Sequence, residues 1–339
     1  MTGIISPMAK TEKQLAVILL NLGTPEAPTV PAIRRYLAEF LSDPRVVSIP
    51  RVIWLPILYL FILTFRPLKL VHKYRSIWGT YDGPIRNITR ALAEKSQRLL
   101  SRQHQEANIT VVSAMTYGEP SVNNVIGELN SSGLTKFLFL PLYPQYASVT
   151  TAAAHDQVCL TLSSGPIPSF RFISDYHKHP AYIHALTKSI ERYGKYLDNG
   201  ARLVFSFHGI PQAHADSGDP YPEQCRCTAD LVAHSLGLAD HEWTLTFQSR
   251  FGPAKWLRPY TSEVMARLPD QGVANVLVIC PGFATDCLET LEEIKVLNRG
   301  IFLEAGGKTF RYVKALNATR DHVAMVADIV DEHLFQDEK

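Results

Sequence analysis

Eight short runs rich in β-branched and aromatic residues recur along this chain, separated by longer stretches whose apolar residues return every three or four positions. Strand and helix alternating in this way signal βαβ units and a mostly parallel sheet, because parallel neighbours need a crossover long enough to hold a helix. In the first half the spacing predicts strands over 15–21, 109–114 and 137–142, with helices over 30–41, 84–102 and 121–132. The second half repeats the rhythm, with strands over 170–173, 203–207, 244–247, 276–279 and 310–313 and helices over 182–197, 222–236, 261–268, 286–298 and 320–334. The length of 339 residues suits two domains, and the densest mid-chain cluster of turn formers runs from Ser163 to Pro168. The expected organisation is an α/β fold of two halves, 1–165 and 166–318, with a C-terminal helix over 319–339 packing back on the first.

Composition narrows the function classes. The 34 Lys and Arg nearly cancel the 32 Asp and Glu, so no summed field draws the chain onto a polyanion and nucleic acid is not an expected partner. Five irregularly spaced cysteines (Cys159, Cys225, Cys227, Cys280, Cys287) make no disulfide framework and match no paired zinc spacing, which points to a reducing, cytoplasmic compartment. Lys10 and Lys13 precede the apolar run 15–20, which is too short for a signal peptide and reads as a buried strand. The run 52–65 carries no charged residue, yet as a helix it would span about 21 Å, short of a roughly 30 Å hydrocarbon core. Two readings fit it: a buried helix, which composition favours, or an exposed apolar lip that takes a greasy ligand or rests on a membrane.

In open parallel sheets ligands bind beyond the carboxyl ends of the strands, so chemistry is sought in the residues that follow each strand. Gly23-Thr24-Pro25 lacks both glycine-rich phosphate patterns, so no nucleotide is expected. His208 is followed by Gly209 and Pro211, and the sharp turn leaves its imidazole at the sheet rim, as a base near neutral pH or as a hydrogen-bonded structural histidine. Asp286, Glu289 and Glu293 recur at i, i+3 and i+7 of the helix expected over 286–298 and so share one face. Capping and the helix dipole account for the first two, whereas Glu293 lies past the first turn; a row of acids also suits conduction of a cation or of protons. Tyr143, Tyr146, Phe247, Phe251 and Trp256 gather aromatic rings at strand ends, as packing at a domain junction or as walls for a large flat ligand.

Five strings, in this order, resemble those of ferrochelatases of the proteobacterial type over about residues 15–334: Asn21-Leu22-Gly23-Thr24-Pro25, Leu140-Pro141-Leu142-Tyr143-Pro144-Gln145-Tyr146, His208-Gly209-Ile210-Pro211, Phe247-Gln248-Ser249-Arg250-Phe251-Gly252, and Cys280-Pro281-Gly282-Phe283 with Asp286-Cys287-Leu288-Glu289-Thr290-Leu291-Glu292-Glu293. The resemblance implies insertion of ferrous iron into protoporphyrin IX, giving protohaem and two protons, by a pair of Rossmann-like domains around a porphyrin cleft. It implies that His208 accepts pyrrole protons or meets the iron, that Glu289 is the facing carboxylate, and that Asp286 and Glu293 line a proton or metal route. Phe283, Leu22, Tyr117 and Trp256 would line the porphyrin pocket, with Arg66, Tyr74 and Ser249 at propionates or rim. The run 52–65 becomes the lip of the cleft, which reverses the preference from composition and implies peripheral contact with the inner face of a membrane. Contact with upstream or downstream haem-pathway proteins also fits.

Three departures from the family's pattern matter. The turn that supplies a serine in many relatives reads Gly79-Thr80-Tyr81-Asp82-Gly83-Pro84, Cys287 stands where some members carry histidine, and no cysteine follows Cys287. No cofactor and no iron–sulfur cluster are expected, iron being a substrate. The competing expectations are a related chelatase for another tetrapyrrole or metal, such as coproporphyrin or cobalt, and a non-catalytic porphyrin or haem carrier.

Overall fold

The computed structural model describes residues 14–80, 82–165 and 168–334. Lys10 and Lys13, Tyr81 of the departing turn, Pro166 and Ile167 at the expected domain boundary and residues 335–339 of the C-terminal segment lie outside them. All eight expected runs are strands: β1 (Gln14–Asn21), β2 (Asn108–Met115), β3 (Lys136–Pro141), β4 (Ser169–Phe172), β5 (Arg202–His208), β6 (Trp243–Gln248), β7 (Asn275–Ile279) and β8 (Thr309–Tyr312). They form two parallel four-stranded sheets flanked by helices, ordered β2-β1-β3-β4 and β6-β5-β7-β8. Each order reverses direction beside its first strand, so the carboxyl ends of β1 and β5 stand at the two switch points where such sheets place ligands. From Leu15 to Asn21 every residue of β1 is buried, because helices cover both faces of a parallel sheet and no polar alternation is needed.

Each sheet has an apolar cluster of its own on one face and shares another with its neighbour. One apolar cluster contains Val17, Leu19, Leu138 and Leu140 from the first sheet, Leu203, Phe205, Leu277 and Ile279 from the second, and Val326 and Ile329 from the last helix, Arg320–Leu334. That helix packs against Pro84–Gln103 of the first half, where His104 Nε2 pairs with Asp331 Oδ1 at 2.7 Å.

Three elements differ from expectation. The helix expected over 182–197 is split into Pro180–Glu191 and Gly194–Asp198. The helix expected from 286 begins at Glu289 and is a π-helix to Asn298, so Asp286 precedes it and the i, i+3, i+7 face does not exist. The apolar run 52–65 is part of a longer helix, Arg51–Ile77, 27 residues in all, which contains Pro56 and Pro67 and a π-turn over Leu58–Ile62. By length and composition that helix is able to cross a membrane. Its stripe of Trp54, Leu58, Leu63, Val71 and Tyr74 is buried with Ile33 and Leu37 of the helix Val30–Ser42, while Val52 and Leu60 are 85% and 66% exposed. The run is therefore a lip and not a buried helix: only one face finds a partner, and the other stays open.

His322, near the start of the last helix, is fully buried, with Nδ1 2.5 Å from the Asn317 carbonyl and no partner for Nε2. Burial pushes its imidazole down to about 4. The folded state thus binds fewer protons than the unfolded chain below pH 6.5, and the stability this contributes is full above that value and lost as pH falls towards 4. With 1.36 kcal/mol per unit, the loss is about 3 kcal/mol. Urea unfolding between pH 7 and 4 should show the decline in the wild type and a shallower one in His322→Leu; equal slopes would refute the assignment.

Candidate active site

The site is assembled from strand ends and one strained helix. His208 closes β5, and its Nδ1 lies 2.7 Å from the Gly209 carbonyl. An N–H on Nδ1 donates to that carbonyl, which leaves Nε2 as the nitrogen free to take a proton. Two rings flank the imidazole, Phe283 at 6.2 Å and Trp256 at 6.5 Å between centroids. Trp256 is fixed by its own Nε1–H donating to the Phe251 carbonyl at 2.8 Å, and the turn at Gly209 leaves no room for a side chain, since a Cβ there would lie 3.2 Å from the Trp256 ring and 3.0 Å from the Gln248 carbonyl. The base thus sits between two apolar walls.

Opposite lies the π-helix, a rare form that recurs at functional sites. Gln248 Nε2 donates to the Glu289 carbonyl at 3.3 Å, pinning its first turn, while Gln248 Oε1 accepts from Ser206 Oγ at 2.7 Å. Glu293 is gripped twice by Ser249, whose N–H donates to Oε1 at 2.7 Å and whose hydroxyl donates to Oε2 at 2.5 Å. Ser249 adopts φ 67°, a left-handed conformation that a side chain resists, and the paired bonds to Glu293 hold it there. Burial raises the Glu293 carboxyl above the usual range; the Ser249 bonds and the nearby His208 imidazole oppose the rise, and Glu289 adds to it. A half-buried acid that holds a proton more tightly than usual is thus electrostatically in touch with both His208 and Glu289.

The lip helix supplies the remaining wall. Tyr74 is buried, and its hydroxyl is held well above the usual range by that burial and by the nearby carboxylate of Glu289. Arg66 is half-buried, which lowers its affinity for a proton, with Tyr74 and Glu289 acting in the other direction. The Arg66 guanidinium stacks 4.5 Å from the Phe251 ring centroid. Lys73 Nζ donates to Glu292 Oε2 at 2.9 Å, tying the lip to the π-helix.

Several expected site residues are placed differently. Asp286 is buried with both oxygens occupied: Oδ1 accepts from Tyr312 OH at 2.7 Å, Thr290 Oγ1 at 3.1 Å and Ala315 N–H at 3.4 Å, and Oδ2 from Asn317 Nδ2 at 2.7 Å. It anchors the loop before the π-helix. Tyr117 is 2% exposed and donates to Asp43 Oδ2 at 2.8 Å, beneath the lip. The Ser249 hydroxyl is engaged by Glu293 and not free at the rim. In the departing turn Asp82 accepts from Gly83 N–H at 2.7 Å and Arg86 Nε at 2.8 Å, so its carboxylate is committed to the first turn of the helix Pro84–Gln103. Leu22, directly after β1, is half-buried between the first sheet and the lip cluster.

Sequence reasoning passed over Asn21, Tyr36 and Gln248. Asn21 Nδ2 donates to Thr89 Oγ1 at 3.0 Å and Thr285 Oγ1 at 3.2 Å, bridging the halves below the site. Tyr36 donates to the Gly23 carbonyl at 3.3 Å. The strand-end rule pointed at the first and last of these, but neither ionises, so no chemical signal singled them out. Among the described residues no three His, Cys, Asp or Glu side chains converge to hold a metal ion. An open groove of about 910 Å³ lies away from His208 and Glu289, between the helices Pro84–Gln103, Pro180–Glu191 and Arg320–Leu334.

Comparison with known proteins decides the family. The ferrochelatase family profile matches residues 14–334. This chain belongs to the ferrochelatase family. Relatives include the ferrochelatase of Methylococcus capsulatus, 49% identical over 328 residues covering 96% of this chain and 99% of that protein. Ferrochelatase 2 of Shewanella oneidensis is 48% identical over 327 residues, covering 95% and 98%. Among solved structures, the cobalt complex of the sirohydrochlorin chelatase SirB from Bacillus subtilis matches with TM-score 0.55 at 12% identity, covering 96% of this chain and 98% of that one. That likeness is one of fold alone, and the two parallel four-stranded sheets flanked by helices are consistent with the chelatase fold.

Proposed function

We propose that this ferrochelatase, which inserts Fe(II) into protoporphyrin IX to form protohaem, does so with His208 as the pyrrole base and Glu289 as the facing carboxylate. The carrying observation is the imidazole of His208 set between two aromatic rings and electrostatically linked to Glu293 beside Glu289. A free-base macrocycle is flat and carries two N–H protons in the hole the metal must enter. Walls that press on both faces favour a bent ring, which is useful because the bent form is closer to the transition state. His208 Nε2 takes a proton as the pyrrole nitrogen turns towards it, and Glu293, a half-buried acid whose affinity for a proton is raised by desolvation, is suited to relay one. Imidazole and carboxylate bind ferrous iron without the grip of thiolates, so the cation is captured and released.

Phe283, Trp256, Leu22 and Tyr74 are the proposed porphyrin walls, with Arg66 the cation for a propionate; Asp286, Tyr117 and Ser249 act beneath that surface through the bonds described. The expected division at 1–165, 166–318 and 319–339 needs its first boundary moved past β4, because Ser169–Phe172 pairs with β3 in the first sheet; we propose that the second half starts between β4 and β5. No iron–sulfur cluster is proposed, since no cysteine follows Cys287.

Metal insertion is tested anaerobically with Fe(II), with Zn(II) as surrogate, against protoporphyrin IX and coproporphyrin in parallel. Faster turnover of protoporphyrin is expected; preference for the other ring, or binding without insertion, would overturn the reading. We further propose cytoplasmic residence with peripheral membrane contact through Val52, Ile53, Leu60 and Phe61, which are all more than half exposed. Flotation with anionic vesicles should recover the wild type and lose Val52→Asp/Leu60→Asp; equal recovery would remove the lip from that role.

A further inference from the structure

The peptide that carries His208 into its turn is held on both sides. Its oxygen, the His208 carbonyl, accepts from the Tyr221 hydroxyl at 2.9 Å, and its Gly209 N–H donates to the Gln248 carbonyl at 2.8 Å. Tyr221 is a buried residue, the first of the helix Tyr221–Ser235, and approaches from the side opposite the partner strand β6. Its place is fixed by Asp219, itself buried. Tyr221 N–H donates to Asp219 Oδ1 at 3.1 Å, and Ser148 N–H, from the N-terminal half, donates to Asp219 Oδ2 at 2.7 Å. Beside this bridge Tyr146 N–H donates to Gln224 Oε1 at 2.7 Å. The turn Gly218-Asp219-Pro220-Tyr221 is therefore bolted across the junction of the two halves, and its phenol reaches back to the base.

The imidazole is tied to the same stretch of backbone. Its Nδ1 bonds the Gly209 carbonyl, one peptide beyond the carbonyl that Tyr221 holds. Rotation of the 208–209 peptide would carry the ring off its acceptor and change its direction. Neither Tyr221 nor Asp219 needs to touch a substrate to exert this control.

We propose that Tyr221, anchored by Asp219 across the junction of the halves, is a positioning residue that sets the orientation of His208. The proposal deepens the base role given to His208 above and rests on it. Substituting Tyr221→Phe removes one oxygen and keeps the ring. Porphyrin affinity, read by fluorescence without metal, should stay within about threefold, while kcat for metal insertion falls by about one to two orders of magnitude, the scale of a misplaced catalytic group.

The His208 ring resonances are also compared by NMR at one pH, identified by their absence in His208→Ala, because the flanking rings of Phe283 and Trp256 make their chemical shifts report the direction of the imidazole. They should move in Tyr221→Phe and also in Asp219→Asn, which keeps Tyr221 but weakens its anchor. Tyr176→Phe is the control, because Tyr176 is equally buried and its hydroxyl has no partner; it should behave as wild type. Unmoved His208 resonances, kcat within twofold of wild type in Tyr221→Phe, or an equal loss in Tyr176→Phe would overturn the proposal. The spectra need no substrate, so they decide the question even where the metal-insertion reading fails, and Asp219→Asn carries the test if Tyr221→Phe does not fold.

Discussion

Removing the imidazole in His208→Ala is expected to slow metal insertion by at least about a hundredfold, since a positioned acid–base group contributes about 10²–10⁴. The expectation follows from place more than from residue type. Nε2 is the nitrogen left without a backbone partner, the rings of Phe283 and Trp256 flank the imidazole, and Glu293 of the π-helix acts on it electrostatically. Glu289→Gln keeps the shape and removes the charge, and should lose activity on the same scale. Porphyrin binding should survive in both, because the walls remain. Initial rates with Fe(II) or Zn(II), alongside porphyrin fluorescence titrations, make the comparison. Retention of more than about a tenth of wild-type rate by both variants would show that the roles are misassigned, because that is far less than a general base supplies.

The second large effect is on folding. Gly23 adopts φ 107°, and a Cβ built there would lie 1.8 Å from the carbonyl oxygen of Tyr117. No rotamer relieves that contact, because the obstacle is backbone and Tyr117 is itself bonded to Leu22, its N–H donating to the Leu22 carbonyl at 2.9 Å. Gly23→Ala should therefore cost about 3 kcal/mol or more, from the strained φ and the forced shift together. At about 2–4 °C per kcal/mol for domains of this size, the melting temperature should fall by roughly 6–12 °C. Calorimetry reads it directly. A drop of a degree or two would mean that the loop between β1 and the helix Val30–Ser42 yields, and that the close approach to β2 is not a constraint.

The strands were legible because each is an apolar run bounded by turn formers, and burial on both faces leaves no competing pattern. The lip was legible in the same way up to Phe65, but its continuation was hidden: Arg66, Pro67, Lys69 and Lys73 break the apolar run, and only contact with the helix Val30–Ser42 makes the stretch helical to Ile77. Periodicity assumes 3.6 residues per turn, so it assigned Asp286, Glu289 and Glu293 to one face; the π-helix begins three residues later, and Asp286 is captured by Tyr312 and Asn317, about thirty residues downstream. His208 and Glu289 stood out as ionisable groups after strands. The bonds that orient them, from Gln248, Ser249 and Tyr221, join residues separated by up to 44 positions, and no local pattern records such pairs.

An apolar cluster shared by both sheets ties the halves of this molecule together, unlike a hinged jaw. Swinging the sheets apart would split the cluster that holds Leu140 and Phe205, exposing methyl and phenyl groups at about 25 cal/mol for each Å². The lip is held the same way: Trp54, Leu58, Leu63, Val71 and Tyr74 are buried with Ile33 and Leu37, Leu288 packs against them, and the Lys73 to Glu292 pair and the stacking of Arg66 on Phe251 add to that apolar seam. Raising ionic strength would weaken the one ion pair and leave the seam in place, so salt alone should not release the lip.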